Sequence, residues 1–379
     1  MDDTTEIVGF SGNEPHVAVV PPMAEIRMSP VDAPRCWYCA ILEAFAWCFG
    51  TLSVHIAGGI AVAIVMAIVQ IVFFHGKMPD FQDPRSMLIL TAGEMILFVL
   101  ASMLAVSVRY WGRTFSELNF SRPDFRHILL VIGGTLPMTF CVSLWSIPVQ
   151  YCWHLIVEWQ PALKIIDNLN SMTAVKEMAQ VTPLYQMILV VAVLPAIGEE
   201  LVFRGAIGRV SVANLGVWGG VIFTSILFGC IHLHPVHALA VIPLGIAIHL
   251  VYLSTRSFWM PMLLHFVNNV WATIVAQSES SKIAQEGLNL TLLDGVEMLS
   301  GIVASVALGF ALWQSRTRLF HLDGQESNSS RFPVRIPLSP EVQRKSGPIS
   351  ATCWLLVIVS MVTCHAAVAI DLLTAGGQQ

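Results

Sequence analysis

The sequence predicts an all-α fold, a polytopic transmembrane helical bundle of about eight to nine spans. Three observations carry that reading. The 379 residues are 55% hydrophobic and 12% charged, about half the charged share of a soluble domain. Mean hydropathy is +0.69, and the apolar residues gather into runs approaching the ~20 residues a helix needs to cross a bilayer core. The short alternating segments of a membrane β-barrel do not occur.

Residues 1–35 are polar and acidic, with prolines, and lack the basic start and short apolar core of a secretory signal. They read as a disordered tail ahead of a first span that is its own insertion signal. Residues 36–160 carry the N-terminal transmembrane helices, with apolar runs at 54–74, 87–108 and 128–150. Whether 36–53 (CWYCAILEAFAWCFGTLS) inserts as a separate span is open. Four runs follow within 184–277, at 184–211, 217–233, 236–254 and 259–277. Residues 278–314 add a helix at 292–313, 315–350 read as a polar linker, and 351–379 hold a last helix at 352–374.

If the spans alternate, fifteen of the twenty Lys and Arg fall on the side of the N-terminus: Arg27, Arg35, four arginines of 109–126, Arg204, Arg209, Arg256 and six basic residues of 316–345. The positive-inside rule then puts the N-terminus in the cytoplasm and the C-terminus outside, as an integral protein of the cell inner membrane. The eight cysteines are scattered. Cys36 and Cys39 form a lone CxxC with no second pair or nearby His to complete a zinc site. Burial as small hydrophobes explains most of the others.

Against this apolar background, AVLPAIGEELVFRGAIGR (192–209) stands out. Each charge in hydrocarbon costs roughly 2.5–3.5 kcal/mol even on the lenient insertion scale, so ionisable residues in spans are functional candidates. Glu94, His249 and Asp371 each stand alone in their spans, as core or near-interface residues. The others cluster as i, i+4 pairs on single helix faces: Glu200 with Arg204, Phe228 with His232, and His265 with Asn269. A turn is signalled at Asn214–Gly220. Glu199 and His232 lie about 15–16 residues to either side of it, roughly 22–24 Å at 1.5 Å per residue. His265 enters from the turn at Ser254–Trp259 and lies roughly 13 Å in, a gap that tilt can close. Three helices can therefore aim a carboxylate, two imidazoles and an amide into one intramembrane cavity.

The two glutamates divide. Glu200 can pair with Arg204 one turn on, which compensates both charges and is on its own a structural device. Glu199 points about 100° away around the helix and lacks that partner. A desolvated carboxylate with imidazoles nearby can accept a proton from water. The H-E-x-x-H zinc-protease helix, the G-x-S-x-G elbow and the Walker loop are all missing. A Glu with two His and an Asn can activate water and stabilise an oxyanion, or it can hold a divalent metal. A proton path in a carrier is a third possibility, although no inverted repeat accompanies it.

EELVFRG resembles the E-E-x-x-x-R signature of the CPBP family of CAAX prenyl proteases (type II) and bacteriocin-processing enzymes. FGCIH resembles its F-x-x-x-H motif and HFVNN its H-x-x-x-N motif, in the same order, with Pro195 shortly before the glutamates. The resemblance covers about 184–277, which then reads as the catalytic core. It implies an intramembrane glutamic endopeptidase, whose best-known relatives cut prenylated CAAX proteins after the modified cysteine. Carried over, Glu199 is the general base, His232 assists it, and His265 and Asn269 bind the oxyanion. Glu200, Arg204 and Phe228 support the site. No cofactor is implied, and a divalent metal is left open by the residues. The expected partners are the lipid bilayer and a membrane-associated peptide or protein, with no nucleic acid. The alternative within the family is a non-catalytic member acting as a bacteriocin-immunity or scaffold protein.

Overall fold

The computed structural model describes residues 36–74, 78–277, 292–321 and 342–376. The expected tail, 1–35, lies outside them, as do 278–291 and 322–341. The first helix, α1, runs unbroken over Trp37–Phe73 for 37 residues, about 55 Å at the α-helical rise. Residues 36–53 are thus the first half of one long helix and not a separate span. Its start carries a Cys36–Cys39 disulfide. Glu43, the charge that interrupts this half, is ion-paired with Arg109 in the last turn of α2 (Pro84–Arg109). Ile56, Ile60, Ile64 and Ile68 recur every fourth residue and are exposed, an apolar stripe that suits lipid.

Local chemistry sets the starts of the next helices. Asp83 caps α2 by accepting from Ser86 N, with Pro84 in the first turn. After the one-turn helix α3 (Thr114–Glu117), Asp124 caps α4 (Phe125–Trp159). A 3₁₀ segment (Pro161–Leu169) leads to α5 (Ser171–Val181), capped by Asn170.

The chain from Leu184 to Cys230 is helical except at Gly216, in the order α6 (Leu184–Met187), a π turn (Ile188–Val193), α7 (Leu194–Val202), a second π turn (Phe203–Ile207) and α8 (Gly208–Cys230), which Gly216 breaks in two. Straight, its 47 residues would reach about 70 Å, far beyond a bilayer. The chain folds back at Gly216, where φ is 76° and ψ 174°, a region open essentially to glycine alone. Eight residues of straight helix separate Cα atoms by about 12 Å, yet a Cβ built on Gly220 would stand 2.4 Å from the Val212 Cα. Phe203 and Phe228, near-equidistant from Gly216 in sequence, meet ring to ring at 5.2 Å. Glu199 and His232, the pair expected at matched depth, each lie four residues further from the turn than these two rings.

The helices α9 (Pro235–Ala240) and α10 (Ile242–Thr255) follow, and Arg256 closes α10 in the left-handed region. The last helices are α11 (Trp259–Gln277), α12 (Leu292–Gln314) and α13 (Ala351–Gly376). Among the described residues seven helical runs are long and apolar enough to cross a membrane. One of them, Leu184–Cys230, makes two passes, and α11 adds a more polar helix. This is an all-α polytopic integral membrane protein.

The segment expected to be a linker has ordered ends. Strand β1 (Thr317–His321) pairs antiparallel with β2 (Val342–Ser346), the only sheet among the described residues. Thr317 Oγ1 donates to the Thr255 carbonyl at 3.1 Å. Trp259 Nε1 donates to Phe120 O at 3.2 Å, and Arg209 Nη1 to Glu117 O at 2.8 Å. Arg109, Arg113, Arg256 and Arg318 accordingly gather at one end of the bundle. At the other end Gln180 reaches Ala276 O and Gln277 reaches Thr182 O.

Replacing Gly216 with Ala should cost about 1–3 kcal/mol, the usual price of a Cβ in this backbone region. Thermal unfolding in detergent should show a lowered midpoint for Gly216→Ala. Gly309→Ala, inside α12 where a Cβ meets nothing within 4 Å, should leave it unchanged or raise it slightly.

Candidate active site

Glu199 and Glu200 stand on α7, whose entry is irregular for a reason visible in the chain. Pro195 sits in its first turn and has no N–H for the Val191 carbonyl four residues back. The backbone widens to π geometry there and again after Val202, an irregularity frequent at functional sites. The Val191 carbonyl takes the Asn269 side-chain amide of α11 instead, at 3.0 Å. The proline before the glutamates and the asparagine of HFVNN thus meet through one carbonyl.

Glu200 and Arg204 are fully buried, and Glu199 and His265 are 6% and 3% exposed. Arg204 Nη1 donates to Glu200 Oε1 at 3.0 Å. The same oxygen lies 2.8 Å from His265 Nδ1. Against an ionised Glu200, Nδ1 must carry the proton of that bond. Arg204 Nη2 donates to the Gly245 carbonyl of α10 at 2.9 Å, and its guanidinium lies 4.8 Å above the Phe228 ring. Phe228 in turn meets His265 edge-on at 5.8 Å.

Glu199 is treated differently. Its Oε2 faces His265 Nε2 at 3.9 Å, beyond hydrogen-bond range, and has no hydrogen-bond partner. Two carboxylates, a guanidinium and a protonated imidazole would together carry no net charge.

His232 lies just past α8, edge-on to Phe228 at 5.6 Å and stacked on His237 at 4.2 Å. Asn269 accepts from Asn268 Nδ2 at 3.2 Å. The structure therefore gathers Glu199, Glu200, Arg204, Phe228 and His265 into direct contact. His232 joins them through the Phe228 ring, and Asn269 through the backbone of the first π turn. Among the described residues no group of three or more His, Cys, Asp or Glu is arranged to hold a metal ion.

Beside this cluster lies a chamber of about 820 Å³, whose wall includes Thr139, Trp153, Asp167, His234, His237 and Asn268. His237 and Asn268 are the links to the cluster, and Glu199 and His265 are not in the wall. Asp167 accepts from Trp153 Nε1 at 2.9 Å and lies 3.3 Å from His234 Nε2. The indole N–H, with the His234 ring, holds the Asp167 carboxyl below the usual carboxylate range, so a fixed anion marks that end of the chamber. Sequence alone offered no signal for this 3₁₀ residue.

Of the residues that stood alone in their spans, Glu94 has a partner: it is ion-paired with His55 of α1. His249 is buried beside Gly208, and the side chain of Asp371 lies outside the described residues.

Comparison with known families centres on this cluster. Residues 181–271 match the family model described as type II CAAX prenyl endopeptidase Rce1-like. This segment is Rce1-like. It spans α6 to most of α11 and contains all seven motif residues. A protein of Bacillus subtilis (strain 168) named "Putative membrane peptidase YdiL" is 24% identical over 123 residues, 32% of this chain and 50% of its own. The chain spans about half the length of this curated relative. No solved structure matches at comparable significance.

Within the Rce1-like segment, Arg204→Met should destabilise by about 3–5 kcal/mol, because it leaves Glu200 a buried charge short of its main partner. Arg204→Lys should recover only part of this, since a Lys nitrogen lacks the planar fork by which two separate nitrogens reach Glu200 and Gly245. Thermal unfolding of the three proteins in one detergent checks the order.

Proposed function

We propose that the chain is an intramembrane endopeptidase that hydrolyses peptide bonds of membrane-associated substrates with Glu199 as general base. The observation that carries this reading is the unequal treatment of adjacent glutamates. Glu200 accepts from Arg204 and His265 at Oε1, with only Oε2 unpartnered, whereas Glu199 is met only by His265 Nε2, 3.9 Å from its unpartnered Oε2. A water between that oxygen and a bound peptide would lose its proton to Glu199 as its oxygen attacks the carbonyl carbon. The proton then passes from Glu199 to the leaving amine as the C–N bond breaks. The oxyanion formed meanwhile would accept from Nε2–H of a protonated His265, which Glu200 holds in place at Nδ1. Asn269 uses one of its two amide hydrogens on Val191 and has a second for the same oxyanion. His232, behind Phe228, would assist at the chamber side. The donor set is complete without a metal.

The adjoining chamber supports a peptide substrate, since it offers polar and apolar wall together. Prenylated C-terminal peptides are the first class to try, on the strength of the Rce1-like match. We place the arginine-bearing end of the bundle in the cytoplasm of an inner-membrane protein. The exposed chamber residues Gln150, His154 and Lys164 belong to the opposite end, so peptides anchored at either face enter the trial.

The test is cleavage of membrane-anchored peptides, prenylated and unprenylated, by purified protein in detergent with and without chelator. Wild type should cleave in both conditions. Glu199→Gln should lose about 10²–10⁴-fold, the usual worth of a general base. Activity of Glu199→Gln within a few-fold of wild type would overturn the mechanism, and loss on chelation would overturn its independence of metal. Retention of a cellular phenotype by Glu199→Gln would favour the immunity or scaffold role.

A further inference from the structure

Outside the Rce1-like match, the facing ends of α12 and α13 and the strand pair between them form a second concave surface. The two-residue period of a strand sets its chemistry. Leu319 is 2% exposed and faces the protein, so Arg318 and Phe320 to either side share the opposite face. Arg318 stands in register with Lys345 of β2, which puts both cations on that face. With Trp313 and Arg316 they line a pocket of about 520 Å³. Arg316 lies over the Trp313 ring at 4.2 Å and Lys345 over Phe320 at 5.7 Å. Among the described residues no Asp or Glu lines this pocket. Like charges set opposite one another on two strands repel, and an anion between them turns that repulsion into attraction. Arg126 is used otherwise: it pairs with Asp124 at 2.7 Å and donates to Gly347 O at 3.3 Å, which moors the strand pair.

A second hollow, of about 460 Å³, begins where this pocket ends, and Gln314 is in the wall of both. From there it follows the seam of α12 and α13, past Phe310, Val306 and Ile302 on one side and Leu356 on the other. These four apolar side chains are 46% to 61% exposed. Gln314 and Ile302 are twelve residues apart, about 18 Å of helix, close to half of a ~30 Å hydrocarbon core. Gln314 Oε1 accepts from Ser350 N at 2.9 Å, which leaves its amide hydrogens to face an oxygen at the junction. A cationic pocket, an amide donor and an apolar groove one leaflet long therefore follow one another along the helices.

We propose that this surface binds an anionic phospholipid, with the headgroup phosphate among Arg316, Arg318 and Lys345, the ester region at Gln314 and an acyl chain in the α12–α13 groove. The groove favours a lipid over a free phosphate, which would use the pocket alone. The cations favour an anionic lipid over a zwitterionic one, whose headgroup brings a cation of its own. None of these residues lies within 181–271, and the proposal is independent of the catalytic reading. Thr317 donates to the Thr255 carbonyl at the end of α10, and His127 of α4 lies 2.9 Å from the Ser315 carbonyl. A lipid held here would thus brace the last two helices against the core.

Native mass spectrometry of the purified full chain in detergent, titrated with chain-matched phosphatidylglycerol or phosphatidylethanolamine, tests the proposal. Wild type should bind a first phosphatidylglycerol more tightly than phosphatidylethanolamine. Lys345→Gln and Arg316→Gln should each raise the Kd for phosphatidylglycerol about fivefold, the worth of one cation at a membrane surface. Both should leave phosphatidylethanolamine binding unchanged. Lys345→Arg, which keeps the charge, should stay within about twofold of wild type. Val306→Trp, which fills the groove, should weaken phosphatidylglycerol binding, and inorganic phosphate at the same concentration should not displace the lipid. Thermal unfolding without lipid checks that each variant is folded; Lys345 is an exposed residue, and its replacement should leave the midpoint close to wild type.

Equal affinity of wild type for the two lipids would overturn the proposal. So would an unchanged Kd for phosphatidylglycerol in folded Lys345→Gln and Arg316→Gln. Displacement by inorganic phosphate, with binding unaffected by Val306→Trp, would make this a site for a free anion and overturn the lipid assignment.

Discussion

One carboxylate oxygen, Oε1 of Glu200, holds the site together. It receives Arg204 from one turn along its own helix run and His265 from α11. Arg204 extends the hold to the α10 backbone at Gly245 and lies over Phe228 of α8. Four helical segments are thus tied at one point, in a region where any unpaired charge is expensive. Removing any one member strands the others, in a network that already leaves Glu200 Oε2 and Arg204 Nε without a hydrogen bond.

The consequence for chemistry is a division of labour between neighbours in sequence. Because successive helical residues turn by about 100°, Glu199 cannot share Arg204, and it is left 3.9 Å from the far nitrogen of the His265 ring that Glu200 fixes. His265 can then serve as orienting link and donor at once, one nitrogen to each task. Pro195 contributes in the same economical way. By withholding one N–H it leaves the Val191 carbonyl for Asn269, which fixes α11 against the entry to α7.

Much of this was legible in the chain because the informative contacts are local or follow from helix geometry. Glu200 and Arg204 are one turn apart, and the turn expected at 214–220 is made at Gly216, which brings Phe203 against Phe228. The roughly two-turn offset of His265 closes, as its bond to Glu200 shows. What escaped the sequence joins distant helices. Glu94 looked solitary because its partner, His55, is 39 positions away on a helix with no motif. Residues 36–53 were ambiguous because Glu43 interrupts them, and its partner Arg109 lies at the far end of α2. The polar stretch 315–350 carries no strand periodicity strong enough to announce that 317–321 pairs with 342–346.

The most direct measurement compares thermal unfolding of Glu199→Gln and Glu200→Gln with wild type in the same detergent. Both changes remove one carboxylate and keep its shape. If Glu200 is the tie and Glu199 the base, Glu199→Gln should unfold close to the wild-type temperature, because its buried Oε2 has no hydrogen bond to lose. Glu200→Gln should unfold several degrees lower, with Arg204 and His265 both deprived of their counter-charge. Equal shifts for the two variants, or the reverse order, would contradict the account.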